Sequence, residues 1–375
     1  MVDKSTAEDF FFKRILTKVS NISLPGYITS SFPTVEGQTA FERIVMIPES
    51  FYILLEKLAY KKNGAEGQKH LYAIGKQFGY RFAGLLRVSK SDTFVSAVTI
   101  FKFLATLYAE KIDVITADGK TKTLILDTKN LAITAKTGGG YILTIGGCAG
   151  VWAYINSDYT LECCAKHVKR DIYKLITAPL AKLKSENMSN IIISDDKSSV
   201  QIEVDTASYK KYNSTIQQNK DHYNITKLIE QGTIKYVNGS LSFSKLGTRL
   251  LSTEISLISA IETYLEEDLV FDASYDCFYE LGGSLEKLEN PYLFVSELLT
   301  ALGFGIVTVI FEGRALLLNF SGYPWISKNN LHTGFNIIQG FVSGFIEGNQ
   351  KIKVKTKEYS SQISDEKFVV TLKVK

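Results

Sequence analysis

Cysteine, glutamate and histidine gather at one place in the chain: Cys148, Glu162, Cys163, Cys164 and His167. All are ligand types for zinc. Cys163 and Cys164 are adjacent, however, and neighbouring positions on a strand face opposite ways. One of the two would point away from any shared ion, so the expectation is buried structural thiols and no metal.

A second group is basic. Residues 224–251 read as a helix (225–231), Gly232, a strand (233–237), an Asn238-Gly239 turn and a return strand (241–243). That order is similar to the last helix and wing of a winged-helix domain. Lys227, Lys235, Lys245 and Arg249 would then face a phosphate backbone. No helix-turn-helix is legible just before this stretch, and an ordinary helix-hairpin bridge is the other reading.

Signals for catalysis are missing. The sequence carries no nucleophile elbow, phosphate loop, dinucleotide fingerprint or two-histidine metal motif. Gly138-Gly139-Gly140 precedes an expected helix and could hold an anion there, but a flexible turn explains it as well. His70, His167, His222 and His332 are scattered, and no cofactor site can be read. The expectation is a protein that is not an enzyme.

The elements that must carry these residues repeat. Gly140-Tyr141 matches Gly334-Phe335, and Gly146 and Gly150 match Gly340 and Gly344, four residues apart in both halves. Glycines at that spacing share one helix face and let the helix approach a neighbour closely. In the first half, helices are expected at 49–63, 67–86 and 93–109. A hairpin follows about Asp118-Gly119, then a third strand at 131–135, the glycine-rich helix at 141–154 and a fourth strand at 159–163.

The second half runs in the same order. A helix is expected at 252–265, and Tyr279-Glu280-Leu281-Gly282 echoes Tyr72-Ala73-Ile74-Gly75. A helix at 294–302, a hairpin about Glu312-Gly313, the second glycine-rich helix and strands at 351–355 and 368–374 complete it. Between the halves, 171–187 reads as an amphipathic helix, and 191–193 with 200–204 as a hairpin. A helical start is expected at 7–19. The fold class is α+β: two repeated domains, each with helices packed on a small antiparallel sheet, joined by a central helix-hairpin segment. The boundaries are 1–40 (extension), 41–168, 169–250 and 251–375.

This order, with the two Gly-x-x-x-Gly helices, resembles the 4-vinyl-reductase-type domain, a family related to the trafficking subunits of transport-protein-particle complexes. The resemblance covers 41–168 and 250–375. It implies a pair of domains docked as an internal pseudo-dimer, with a small hydrophobic ligand held in a cavity behind the glycine helix. Candidate lining residues are Phe101, Phe103, Leu107, Trp152, Phe304, Phe320, Trp325 and Phe335. Some family members bind zinc through cysteines near the last hairpin. Phe335, Tyr359 and Phe368 occupy that region here, so the zinc site does not carry over.

The bulk numbers agree with a globular chain. Of 375 residues 45% are hydrophobic and 22% charged, and the net charge of +4 does not by itself imply nucleic-acid or membrane binding. Four cysteines without disulfide spacing, no signal peptide and no run of about 18 apolar residues suggest a cytoplasmic chain without a membrane span. The favoured function is a sensor of a small apolar ligand that signals to a protein partner or within a homodimer. The alternatives are a scaffold or adaptor, and a transcription regulator acting on DNA through 224–251.

Overall fold

The computed structural model describes residues 20–21, 25–33, 39–86, 90, 92–108, 111–129, 131, 142–169, 172–185, 192–193, 223–237, 240–312, 315–324, 335–354, 359–364 and 367–373. The helical start expected over 7–19 lies outside them. So does the hairpin expected over 191–204, apart from Ile192 and Ile193, which are in no strand.

The fold is mixed α and β. The chain enters through β1 (Ser20–Asn21), β2 (Ile28–Pro33) and β3 (Thr39–Pro48), then α1 (Glu49–Leu85) and α2 (Thr93–Tyr108). Helix α1 is two helices joined across a kink at Gly64, whose φ of 57° is open to glycine at no steric cost. Next come β4 (Lys111–Asp118), β5 (Thr123–Lys129), α3 (Ile142–Ile155), β6 (Leu161–Lys169), β7 (Ile172–Pro179) and α4 (Leu180–Ser185). The middle holds α5 (Ile225–Glu230), β8 (Ile234–Val237) and β9 (Ser240–Phe243). The second half has β10 (Leu250–Glu254), α6 (Ile255–Tyr264), α7 (Glu267–Ser284), α8 (Pro291–Ala301), β11 (Ile306–Glu312), β12 (Ala315–Ser321), α9 (Asn336–Gln350), β13 (Tyr359–Ser364) and β14 (Lys367–Lys373).

Two four-stranded sheets share one plan. In the first half the order is β4-β5-β7-β6; in the second it is β11-β12-β14-β13. Each is a hairpin, a glycine-rich helix, and a second hairpin whose later strand docks beside the first hairpin. The helices within each half also meet alike. A methyl group on Gly146 or Gly150 would fall into the carbonyls of Tyr72 and Lys76, and one on Gly340 or Gly344 into those of Phe271 and Tyr275. Backbone therefore lies on backbone in both pairs. This contact sets Tyr72 opposite Phe271. Tyr279, which the motif match aligns with Tyr72, stands eight residues further on, against Gly348. Repeated small and aromatic residues two turns apart along one helix made the shorter match look equivalent.

The third sheet, β1-β2-β3-β10, joins the halves. Strand β3 runs into α1 and β10 runs into α6. Their antiparallel register sets Pro48 against Leu250, Met46 against Ser252 and Ile44 against Glu254. Each strand's last residue thus faces the residue four places before the end of the other. The two strands hold matching places, each ending where the first helix of its half begins. Around it Tyr52 and Thr253 share a hydrogen bond of 2.6 Å, and the Phe51 ring meets Phe341 edge-on at 6.1 Å. One apolar core runs through both halves.

Several local expectations are corrected. Residues 172–179 form strand β7 in place of an amphipathic helix, and among the described residues of 171–187 only Leu180–Ser185 are helical. Pairing on both sides, with β5 and β6, decides this. Pro179 sits at the strand's last position, beyond the end of its pairing with β5. The first sheet therefore extends past 168. Of the strand expected over 131–135 only Leu131 is described, and it is in no strand; beside β5 stands β7. Ser252 belongs to β10 and not to a helix. The last hairpin is β13–β14, not 351–355 with 368–374: Lys351 closes α9 in the left-handed conformation (φ 58°), and residues 351–354 are unpaired coil. Residues 28–33, set apart as an extension, pair with β3.

Candidate functional site

The densest chemistry lies between α1, α3 and β6. Lys76 is on the face of α1 that meets the glycines of α3, and Glu162 is near the start of β6. Their ion pair is 2.9 Å long, with side-chain exposures of 1% and 4%. Tyr72, one turn before Lys76, donates to Glu162 Oε2 at 2.7 Å and accepts from the Cys163 N–H at 2.9 Å. The Lys76 ammonium also lies 4.7 Å from the centre of the Tyr159 ring. Burial lowers the Lys76 pKa and raises that of the Tyr72 phenol well above its usual value. In the second half Phe271 and Tyr275 stand in the places of Tyr72 and Lys76.

The cysteines do not assemble a metal centre. Cys163 faces the main core, and burial, with Cys148 as a hydrogen-bonding neighbour, raises its thiol well above the ordinary range. Cys164 points to the other face of the sheet, into a small cluster with Ile176, Ala178 and Leu183. Glu162 is engaged by Lys76 and Tyr72, and the His167 ring lies 4.9 Å from that of Tyr173. Among the described residues no three His, Cys, Asp or Glu side chains are placed to hold a metal ion.

Each glycine helix is started by a glutamate from the first helix of its half. Glu56 Oε2 accepts from the Ile142 N–H at 3.0 Å. Glu262 accepts from the N–H groups of Ile337 (2.8 Å) and Asn336 (3.2 Å) and from the Asn336 amide (3.3 Å). Burial raises the Glu262 pKa from its usual 4.5 to about 8, against the lowering effect of those donors. The folded carboxyl holds its proton more tightly than the unfolded one. Its contribution to stability is therefore complete below about pH 4.5 and is lost as pH climbs through about 8. Glu262→Gln keeps an acceptor for the helix start but removes the titration. In urea unfolding across pH 5–8, the variant should lose up to about 1.4 kcal/mol per pH unit of the wild-type slope.

On α9 a polar stripe follows that cap. Asn336, Gln339 and Ser343 recur at helical spacing and are all buried. Among the described residues, Gln339 Nε2 and Ser343 Oγ have no hydrogen-bond partner.

The cavity candidates divide between the halves. Phe101 and Trp152 are fully buried in the first, and the Trp152 indole donates to the Lys122 carbonyl at 2.9 Å. Phe304, Phe320 and Phe335 are buried in the second. There Tyr323 links Phe320 (5.0 Å) to Phe335 (5.7 Å), and Phe304 meets Phe341 edge-on at 6.0 Å. The side chains of Phe103, Leu107 and Trp325 lie outside the described residues. A surface depression of about 780 Å3 opens beside the start of α2, but its lining is largely polar, with Lys90, Asp118, Lys120 and Asn156.

The basic group is split. Lys235 and Lys245 are exposed, and Lys227 lies over the Tyr223 ring at 5.3 Å. Arg249 is withdrawn from any outer surface: it is buried and bonds Glu49 Oε2 at 2.7 Å. Ile225, Leu228, Ile234, Leu241 and Phe243 sink into the common core, so this segment packs as part of the body.

Lys76, Glu56, Glu262, Gln339 and Ser343 do not stand out in the sequence. Their one signal is a polar residue inside an otherwise apolar helical stripe, which single-chain periodicity does not separate from a solvent-facing position. Among the described residues no helix is long and apolar enough to cross a membrane. No protein-family model matches the chain, and comparison with curated proteins finds no match.

Proposed function

We propose that the chain is a non-catalytic regulatory protein, a fused pair of 4-vinyl-reductase-type units that responds to a small apolar ligand held in one of them. The observation that carries this reading is the antiparallel pairing of β3 with β10, the two strands that lead directly into the first helix of each half. A contact of this kind is what two copies of one unit make about a two-fold axis. Two copies fused in one chain hold that arrangement at any concentration. With one core running through both units, filling or emptying one of them biases the packing of the whole, which a protein partner can read.

The reactive side chains support a non-catalytic role: Lys76, Glu162, Glu49 and Arg249 are buried in ion pairs. The aromatic residues about the start of α9 supply an apolar lining in the second unit. Native mass spectrometry of the purified chain, before and after organic extraction, tests the reading. The expected result is a small apolar molecule bound to the native chain and recovered in the extract. A chain that carries none, and that takes up none when offered a panel of apolar compounds, overturns the sensor reading. The second reading, a ligand-free adaptor, then stands on the same strand pairing.

A further inference from the structure

Gln339 and Ser343 lie one turn apart on one side of α9, flanking the glycines that touch α7. Gln339 is 3% exposed and Ser343 fully buried. Neither Gln339 Nε2 nor Ser343 Oγ meets a hydrogen-bond partner among the described residues. Buried polar groups are nearly always paired, because an unpaired one loses its hydration for nothing.

The corresponding part of the first half has no such deficit. There α3 carries the apolar Ile145 and Ala149 beside its glycines. The two halves thus use one frame differently. One presents apolar side chains at these positions, while the other presents an N–H donor and a hydroxyl that no described residue engages. One turn before Gln339 on the same side stands Phe335, whose ring continues through Tyr323 to Phe320.

We propose that Gln339 and Ser343 form the polar end of a ligand site in the second half, which takes an uncharged small molecule with a hydroxyl or carbonyl oxygen at one end and an apolar body. The oxygen accepts from the Gln339 amide and exchanges a hydrogen bond with the Ser343 hydroxyl. The apolar body extends along α9 toward Phe335. Both hooks are neutral, so a charged head group would be buried there without a counter-charge, at a large desolvation cost. This deepens the ligand-sensing reading and rests on it.

The test uses the full chain with three probes of equal length: 1-octanol, 1-chlorooctane and octanoate. Thermal-shift titration gives an apparent Kd for each, in the wild type and in Ser343→Ala and Gln339→Leu. The expected order in the wild type is octanol about tenfold tighter than chlorooctane, the worth of roughly one to two net hydrogen bonds, with octanoate weakest. Either substitution should bring octanol and chlorooctane to within about threefold while leaving chlorooctane binding intact. Ser343→Ala removes one oxygen only, so it reports even if Gln339→Leu perturbs folding. If all three probes bind but the octanol preference survives both substitutions, or octanoate binds best, this site is wrong and ligand sensing stands. If none binds saturably, both fall.

Discussion

Lys76→Met is expected to destabilise the chain by about 3–5 kcal/mol, read as a fall in the urea midpoint at pH 7, because it strands the Glu162 carboxylate in the core. The desolvation of a buried carboxylate is large, and the hydrogen bond from the Tyr72 hydroxyl offsets little of it. The double variant Lys76→Met/Glu162→Leu should recover much of the loss, since a buried ion pair exchanged for apolar side chains of similar size is often close to neutral. Recovery should be incomplete. The Tyr72 hydroxyl still accepts from the Cys163 N–H but no longer has a carboxylate to donate to. Single and double variants with equal losses would mean that the pair stabilises on its own account, and that a stranded carboxylate is not the source of the loss.

Gly150→Ala and Gly344→Ala are expected to cost about 3 kcal/mol or more each, at the upper end of overpacking penalties. At both positions the new methyl would fall into a carbonyl of the facing helix, Lys76 in one half and Tyr275 in the other. A side chain could turn aside, but a backbone carbonyl cannot move without parting the two helices along their length. Gly147→Ala provides the contrast on the same helix as Gly150. Its methyl would have the Gly75 oxygen, 3.9 Å away, as its nearest neighbour, an ordinary contact. Alanine is the better helix former by about 1 kcal/mol, so that substitution should be neutral or stabilising. Thermal unfolding of the three variants checks the set. Similar losses at Gly150 and Gly344 would show that the two helix pairs are held together by the same contact. A tolerated alanine at either would sink the close-packing account of that pair.

The spacing Gly146/Gly150 and Gly340/Gly344 was informative because a four-residue interval in a helix has one geometric meaning, and the helices at both sites follow it. The two tight hairpins, β4–β5 and β11–β12, were legible from alternation around Asp118-Gly119 and Glu312-Gly313 for the same reason. Residues 172–179 were not. Their apolar residues fit a helical face as well as a strand, and the choice was made by β5 and β6, which come from more than forty and about ten residues earlier. The candidate site was legible only in part. Phe320 and Phe335 were named for their apolar size and do stand near one another, linked by Tyr323. Arg249 was named for its charge, yet its charge is spent on Glu49, two hundred residues away in sequence.

What the sequence determined alone was local: which segments could be helices or hairpins, where glycine allows close approach, and that the same order of elements is written twice. Those are properties of neighbouring residues, set by side-chain size, backbone freedom and periodicity. The tertiary structure decided the rest. It set Pro48 against Leu250, gave Lys76 its carboxylate, capped α9 with Glu262, and buried Gln339 and Ser343 where no described residue meets their polar atoms. Each of these depends on groups far apart in the chain meeting at distances of a few ångströms. Desolvation and hydrogen bonding act over that range, and no count along the sequence measures it.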